Sequence, residues 1–314
     1  MTTTSNNDSD INSLQVADDG SLRHLLTIDG LSAELIRSIL ERASAFLAPP
    51  DQPVIRSSAL AGRTVANLFF EPSTRTRASF ELAAKRLAAD VLNLDVSTSS
   101  RIKGESILDT IYTLEAMQAD VFVVRDAEAG VPAMIARHVR PGISILNAGE
   151  SSVSHPTQGL LDVLTMQRSL GDVRQLTVCI VGDIAHSRVA RSTAAVLRTL
   201  GVGELRLVAP PGMKPDATWF PDAIIGESLS EGVKNADIVM ALRIQHERIK
   251  NKSELPGPDA YIRHYQLNEE SLSEANANVK VMHPGPMNRG IEIDGALADG
   301  PRSLITEQVR NGVA

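Results

Sequence analysis

At 314 residues the chain is long enough for two domains of about 150 residues, and 43% hydrophobic residues supply a core for each. An aromatic content of 3% makes those cores aliphatic and alanine-rich, while a net charge of −7 excludes a nucleic-acid backbone as the main partner. The single cysteine, Cys179 in the apolar run TVCIV, excludes an internal disulfide and fits a reducing cytoplasm.

The opening stretch MTTTSNNDSDINS has neither the basic nor the apolar region of a signal peptide, and its polarity predicts a disordered tail over 1–20. No apolar run approaches the roughly 18 residues a membrane span needs, so a cytoplasmic protein that does not enter a membrane is expected. Helical spacing over 31–47 is followed by the proline-rich break APPDQP. Strand and helix then alternate: strand 64–70, helix 75–89, strand 91–94, helix 105–117, strand 120–124, helix 130–139 and strand 143–146. A long helix is predicted over 155–171, ending at Gly171. A second alternation comes next, with strands at 176–182, 204–208, 237–242 and 279–284 and a helix at 187–200. The pattern predicts an α/β protein of two doubly wound, Rossmann-like parallel-sheet domains joined by inter-domain helices. The expected boundaries are 21–154 and 155–294, with a closing helix at about 295–314 packing back on the first domain.

Ligands of open parallel sheets bind where strand ends meet helix N-termini, and five such places carry polar residues. In FFEPSTRTRASFE (69–81), Arg75 and Arg77 occupy a helix's first turn, where a cation opposes the helix dipole by roughly 0.3–1 kcal/mol. With Ser73, Thr74, Thr76 and free N–H groups they favour a phosphate-like anion; the alternative is a capped helix whose arginines pair with Glu71 and Glu81. Lys103 in STSSRIKGES (97–106) is either delivered to an anion or part of a solvated loop. Arg125 closes the strand VFVVR and faces a ligand or pairs with Asp126 or Glu128. His155 in HPTQ begins a helix, where the dipole favours a neutral imidazole able to polarise a carbonyl, although a helix cap is the simpler reading. The run GDIAHSRVARS (182–192) places Arg188 in another first turn, and Arg243 and Gln245 come just after the matching strand in LRIQHER. One glycine there is not G-x-G-x-x-G, so a dinucleotide is not expected; two separate arginines suit a dicarboxylate. The scattered histidines and lone cysteine form no metal signature.

In chain order, FFEPSTRTRASFE, KGES, HPTQGLLD, VGDIAHSRVARS, LRIQHER and HPGPMNRG closely resemble the motifs of the aspartate carbamoyltransferase family, from about residue 22 to the C-terminus. The first motif is shared with the ornithine branch and names only the superfamily. The Arg243–Gln245 pair and HPGPMNRG are similar to the aspartate branch, whereas the ornithine branch would show a Cys-bearing H-C-L-P segment.

The resemblance implies transfer of the carbamoyl group of carbamoyl phosphate to the α-amino group of L-aspartate, the committed step to pyrimidines, without metal or cofactor. It implies that Ser73, Thr74, Arg75 and Thr76 hold the phosphate, and that Thr76, Arg125 and His155 polarise the carbamoyl carbonyl. Gln158 with the backbone of Pro284, Gly285 and Pro286 would take the carbamoyl amino group. Arg188 would take the α-carboxylate of aspartate, and Arg243 with Gln245 the β-carboxylate. Ser99 and Lys103 would enter the neighbouring site of a homotrimer, and regulatory or dihydroorotase-like subunits are conceivable further partners. The domains would bind carbamoyl phosphate (21–154) and aspartate (155–294) and close around both. The closing helix is shorter than the family's pattern, which predicts lower stability or weaker coupling of the domains. The rival readings are a carbamoyltransferase for another amine such as ornithine, whose cationic side chain Arg243 would repel, and a non-catalytic scaffold subunit.

Overall fold

The computed structural model of the chain describes residues 4–95, 106–245, 248–249 and 255–314; of residues 4–9 and 95 it describes the backbone alone. The chain divides into two compact units, Met1–Thr157 with Gly312–Ala314, and Gln158–Asn311.

The first unit is built on β1 (Thr64–Phe69), β2 (Asp90–Asp95), β3 (Val121–Asp126) and β4 (Ser144–Glu150), all parallel, in the spatial order β2-β1-β3-β4. Helices α1 (Thr4–Gln15), α2 (Ala33–Ser44), α3 (Thr74–Arg86), α4 (Ile107–Ala116) and α5 (Val131–His138) accompany the sheet. Side chains alternate across a strand, and here both faces are apolar. Ala66, Leu68, Phe122, Val124 and Ile145 pack on one side with Ile111, Leu114 and Ile135 of α4 and α5. Val65, Phe69, Val123 and Ala148 pack on the other, with Ala84 of α3. This two-sided burial is why the strands read as continuous apolar runs. Local signals set the helix ends: Ser106 and Asp109 form a reciprocal capping box at α4.

The second unit contains α6 (Pro156–Leu170, entered from the first unit), β5 (Thr177–Gly182), α7 (Arg188–Leu200), β6 (Glu204–Val208), β7 (Ile224–Gly226), α8 (Leu229–Val233), β8 (Ile238–Leu242), α9 (Pro258–Tyr265), β9 (Lys280–Met282), α10 (Gly295–Ala298) and α11 (Ile305–Asn311). Its parallel sheet has the order β7-β6-β5-β8-β9. Helices α6 and α7 approach closely at Gly159, where an added Cβ would lie 2.6 Å from the Ser192 carbonyl oxygen. The two doubly wound sheets are those expected from the alternation; β7, α8 and α9 are additions that their short or mixed sequences concealed.

Two terminal expectations are corrected. Residues 4–15 are helical rather than a disordered tail, and the end of α1 is docked by Gln15, which is fully buried. Its side-chain oxygen accepts the backbone N–H groups of Leu26 (2.8 Å) and Thr27 (2.7 Å), and its Nε2 donates to the Asp29 carbonyl (3.3 Å). Asp10 adds an ion pair to Arg137 of α5. At the other end, residues 295–314 form two short helices instead of one. Helix α11 is held on α6, with Gln308 Nε2 donating to Asp162 (2.8 Å) and Asn311 Nδ2 donating to Thr165 (2.8 Å).

Replacing Gln15 by alanine orphans two backbone donors, each costing about 1–3 kcal/mol when buried. Gln15→Ala is therefore expected to lower stability by roughly 2–4 kcal/mol, read as a lower midpoint in urea unfolding.

Candidate active site

In both sheets the strand order reverses beside the first strand of the unit: between β1 and β3 in the first, and between β5 and β8 in the second. At such a switch point the connections leave in opposite directions and open a crevice beyond the strand carboxyl ends. The segments bearing Ser73–Arg77, Arg125, Arg188 and Arg243–Gln245 lie at these two edges.

In the first unit, β1 leads through Phe70–Pro72 into α3. Ser73 is the N-cap, with extended backbone angles, yet its hydroxyl makes no capping bond. The other N-cap side chains behave differently: Ser32, Ser106, Ser187, Ser228 and Asp294 each accept a backbone N–H of their own helix. Among the described residues, the N–H groups of Thr74, Arg75 and Thr76 have no acceptor. These donors sum with the dipole of a 13-residue helix into a positive pole. Arg75 adds a full charge with no carboxylate partner among the described residues, and partial burial draws its guanidinium below its usual pKa. Arg77 lies over the Phe69 ring, 5.7 Å from its centroid, so that the aromatic face supports the second cation.

Arg125, paired in register with Phe69 of β1, brings a third cation to this edge. Its side chain is 10% exposed, and its partner is Glu71 at 3.1 Å, rather than the neighbouring Asp126 or Glu128 considered from sequence. A second guanidinium nitrogen donates to the Ala148 carbonyl at 3.2 Å, which fixes the plane of the group. His155 is buried immediately before α6, and the Thr157 hydroxyl stands 3.4 Å from its Nδ1. A hydroxyl donating there leaves the proton on Nε2, the form of imidazole that donates to a carbonyl oxygen.

In the second unit, β5 ends at Gly182, whose φ of +122° and close approach to the Leu242 carbonyl (2.5 Å from a built Cβ) leave no room for a side chain. The next residue, Asp183, is fully buried. It accepts His186 Nδ1 (2.8 Å) and the backbone N–H of Gln245 (3.0 Å), stitching the two strand ends together. Gln245 Nε2 in turn donates to the His186 carbonyl at 3.1 Å. Arg188 is buried in the first turn of α7, and Arg243 comes directly after β8. Two arginines and one amide thus follow two adjacent strands, β5 and β8.

Gln158 in the first turns of α6 bonds to the fully buried Asp162 (2.9 Å). Pro284, Gly285 and Pro286 lie beyond β9, with a cis Gly285–Pro286 bond. That loop is anchored by the buried His283: its Nδ1 accepts the Gly285 N–H (2.8 Å) and its Nε2 donates to Glu292 (3.1 Å). Ser99 and Lys103 lie outside the described residues. The structure also ties into these networks four buried residues to which the sequence pattern assigns no role: Asp162, His283, Glu292 and Gln308. Two of them carry a signal, Asp162 as the last residue of HPTQGLLD and His283 as the first of HPGPMNRG.

No group of three or more His, Cys, Asp or Glu side chains suited to a metal exists among the described residues, and none of their helices is long and apolar enough to cross a membrane. Cys179 sits inside the second core, and burial pushes its thiol up to about 12. It is therefore expected to resist a disulfide-exchange reagent at pH 8 in the folded protein and to titrate as one thiol per chain in guanidinium.

The chain is similar to known proteins. A family model for the carbamoyl-phosphate-binding domain of aspartate/ornithine carbamoyltransferases matches residues 23–168, and one for the Asp/Orn-binding domain matches residues 174–314. Aspartate transcarbamoylase from Trypanosoma cruzi, solved in complex with aspartate and phosphate, aligns with a TM-score of 0.80 and 29% identity over 96% of this chain and 93% of its own. Ornithine carbamoyltransferase from Pyrococcus furiosus aligns with a TM-score of 0.82 and 26% identity over 93% of each chain. The Thermus thermophilus ornithine enzyme shares the fold at 24% identity, with a TM-score of 0.81 over 93% of this chain and 96% of its own.

Proposed function

The chain belongs to the aspartate/ornithine carbamoyltransferase family, and we propose that within it the protein transfers the carbamoyl group of carbamoyl phosphate to the α-amino group of L-aspartate. The products are N-carbamoyl-L-aspartate and phosphate, and the reaction is a step of pyrimidine synthesis. The observation that carries this reading is the open N-terminus of α3. Ser73, three free N–H groups and Arg75 offer a phosphate-sized anion more donors than any structural need of the helix explains.

In this reading Ser73, Thr74, Arg75 and Thr76 hold the phosphate that will leave, and their charge stabilises it as the bond to carbon breaks. Arg125 and the Nε2–H of His155, with Thr76, donate to the carbamoyl oxygen and make its carbon electrophilic. Gln158 and the carbonyls of Pro284, Gly285 and Pro286 orient the carbamoyl amino group. Arg188 binds the α-carboxylate of aspartate, and Arg243 with Gln245 binds the β-carboxylate, which leaves the α-amino group as the nucleophile. The amine attacks the carbonyl carbon, the carbon–oxygen bond to phosphate breaks, and the departing phosphate accepts the amine's proton. Catalysis is then mainly positioning and charge stabilisation, without a strong base.

Residues 21–154 would form the carbamoyl phosphate domain and 155–294 the aspartate domain, working in a cytoplasmic homotrimer to which Ser99 and Lys103 contribute across subunits. The aspartate branch is favoured over ornithine by the second unit's cations. Arg188 and Arg243 attract two carboxylates, whereas the ammonium of ornithine would meet like charge.

The deciding assay runs carbamoyl transfer in parallel with aspartate and ornithine. Turnover with aspartate alone is expected; turnover with ornithine alone would reassign the substrate, and turnover with neither would favour a scaffold subunit. Arg75→Ala is expected to lower kcat/KM for carbamoyl phosphate by about 10²–10³-fold. Arg243→Ala should raise the KM for aspartate by about 10²-fold while leaving that for carbamoyl phosphate near the parent value.

A further inference from the structure

Asp162 has no part in the roles above, yet it is the hub of a buried network in the second unit. It is fully buried on α6. Its Oδ1 accepts Nε2 of Gln158 (2.9 Å, same helix) and Nε2 of Gln308 (2.8 Å, from α11). Its Oδ2 accepts the hydroxyl of Thr193 (2.8 Å, from α7). No cation pairs with it among the described residues, and burial raises its carboxyl pKa to about 6. A lone buried carboxylate is costly, and three neutral donors offset that only in part.

What an ionised carboxylate supplies, and no neutral side chain of its shape does, is acceptance without donation. That property sets the direction of every amide touching it. Gln308 must present Nε2 to Asp162, so its oxygen points the other way, where it accepts the backbone N–H of His283 at 2.9 Å. Gln158 likewise presents Nε2 to Asp162, which leaves its Oε1, a hydrogen-bond acceptor, facing away from that carboxylate. An asparagine at 162 would bring a donor of its own and allow either amide to rotate by half a turn.

We propose that Asp162 is a positioning residue that holds Gln158 with its carbonyl oxygen outward, as the acceptor for the amino group of the carbamoyl substrate. Through Gln308 the same carboxylate ties that acceptor to the His283–Pro286 loop. The chain of bonds runs His283 N–H to Gln308, Gln308 to Asp162 and Gln158 to Asp162, so the two elements that receive the amino group share one origin. This inference rests on the proposed carbamoyl phosphate chemistry, and its discriminating feature is selectivity: the amide end of the ligand should feel Asp162, and the phosphate end should not.

The test measures equilibrium binding of two probes by calorimetry, so that it does not depend on which amine is the acceptor. Phosphonoacetamide carries both an anionic head and a terminal amide; inorganic phosphate carries the head alone. In Asp162→Asn, phosphonoacetamide is expected to bind about tenfold more weakly, the scale of one neutral hydrogen bond, with phosphate binding within about twofold of the parent. In the Gln158→Ala background, Asp162→Asn should cost less phosphonoacetamide affinity than it does in the parent, because only the tie through Gln308 remains to be lost. Equal weakening of both probes, or additive losses in the double variant, would show that Asp162 merely braces helices and would overturn the proposal. Should Asp162→Asn fail to fold, Gln308→Met cuts the tie on the other side; it is expected to weaken phosphonoacetamide selectively, and unchanged binding overturns the proposal. A parent protein that binds neither probe refutes the carbamoyl phosphate reading itself, and with it this inference.

Discussion

The reversal of strand order beside β1 and beside β5 is the constraint on which the rest of this protein's chemistry depends. In a parallel sheet every carboxyl strand end lies on the same edge, and every succeeding helix begins there with unpaired N–H groups. At the reversal, neighbouring connections diverge and leave that edge open. Each unit places cations at this edge: Arg75 beyond β1 and Arg125 near the end of β3, Arg188 and Arg243 beyond β5 and β8. Arginines in helix first turns oppose the local dipole, a cost that an anion bound between charge and N–H groups would reverse in sign.

Around these edges the polar residues fall into two kinds. Asp183, His283, Glu292 and Asp162 are buried, and each bonds to groups that would otherwise be free to move. Asp183 is the clearest case: by accepting from both His186 and the Gln245 backbone it holds two strand ends in one register, where Gly182 already permits their close approach. The Ser73 hydroxyl and the first N–H groups of α3 are the opposite kind, without partners among the described residues in a protein that caps α2, α4, α7, α8 and α10 with side chains. Rigid, closed networks behind open donors are what a site needs if its donors are to lose little freedom when a ligand arrives.

How much of this is legible in the sequence depends on the range of the interaction. Apolar runs such as TVANLF and TVCIVG reveal buried parallel strands because both faces of each sheet are covered. The arginines of PSTRTR and HSRVARS are visible because their oddity is local, a cation where the dipole disfavours one. Helix α1 reads as a disordered tail because its polar composition hides that one residue, Gln15, satisfies three backbone groups up to 14 positions away. Residues Gln308 and Asp162 are 146 positions apart, and no spacing rule links an amide near the C-terminus to a carboxylate in a mid-chain helix. Arg125 is visible as a charge at a strand end, but its partner Glu71 lies 54 positions earlier and becomes evident only once β1 and β3 are adjacent.

The difference between the two edges also bears on the substrate choice proposed for this chain. The first edge, with an open helix N-terminus, suits a compact oxyanion whose several oxygens can be shared among backbone donors and Arg75. At the second, Ser187 caps α7, the helix after β5, with its own hydroxyl, so in the proposed reading Arg188 and Arg243 provide most of the attraction. Side-chain cations on separate elements select for two separated carboxylates rather than for one phosphate, because each fork satisfies one carboxylate plane. A substrate with one carboxylate and one ammonium would satisfy a single arginine and be repelled by the other. In the proposed function, the residues beyond β5 and β8 would thus choose the amine acceptor, and the motif after β1 would have no say in it.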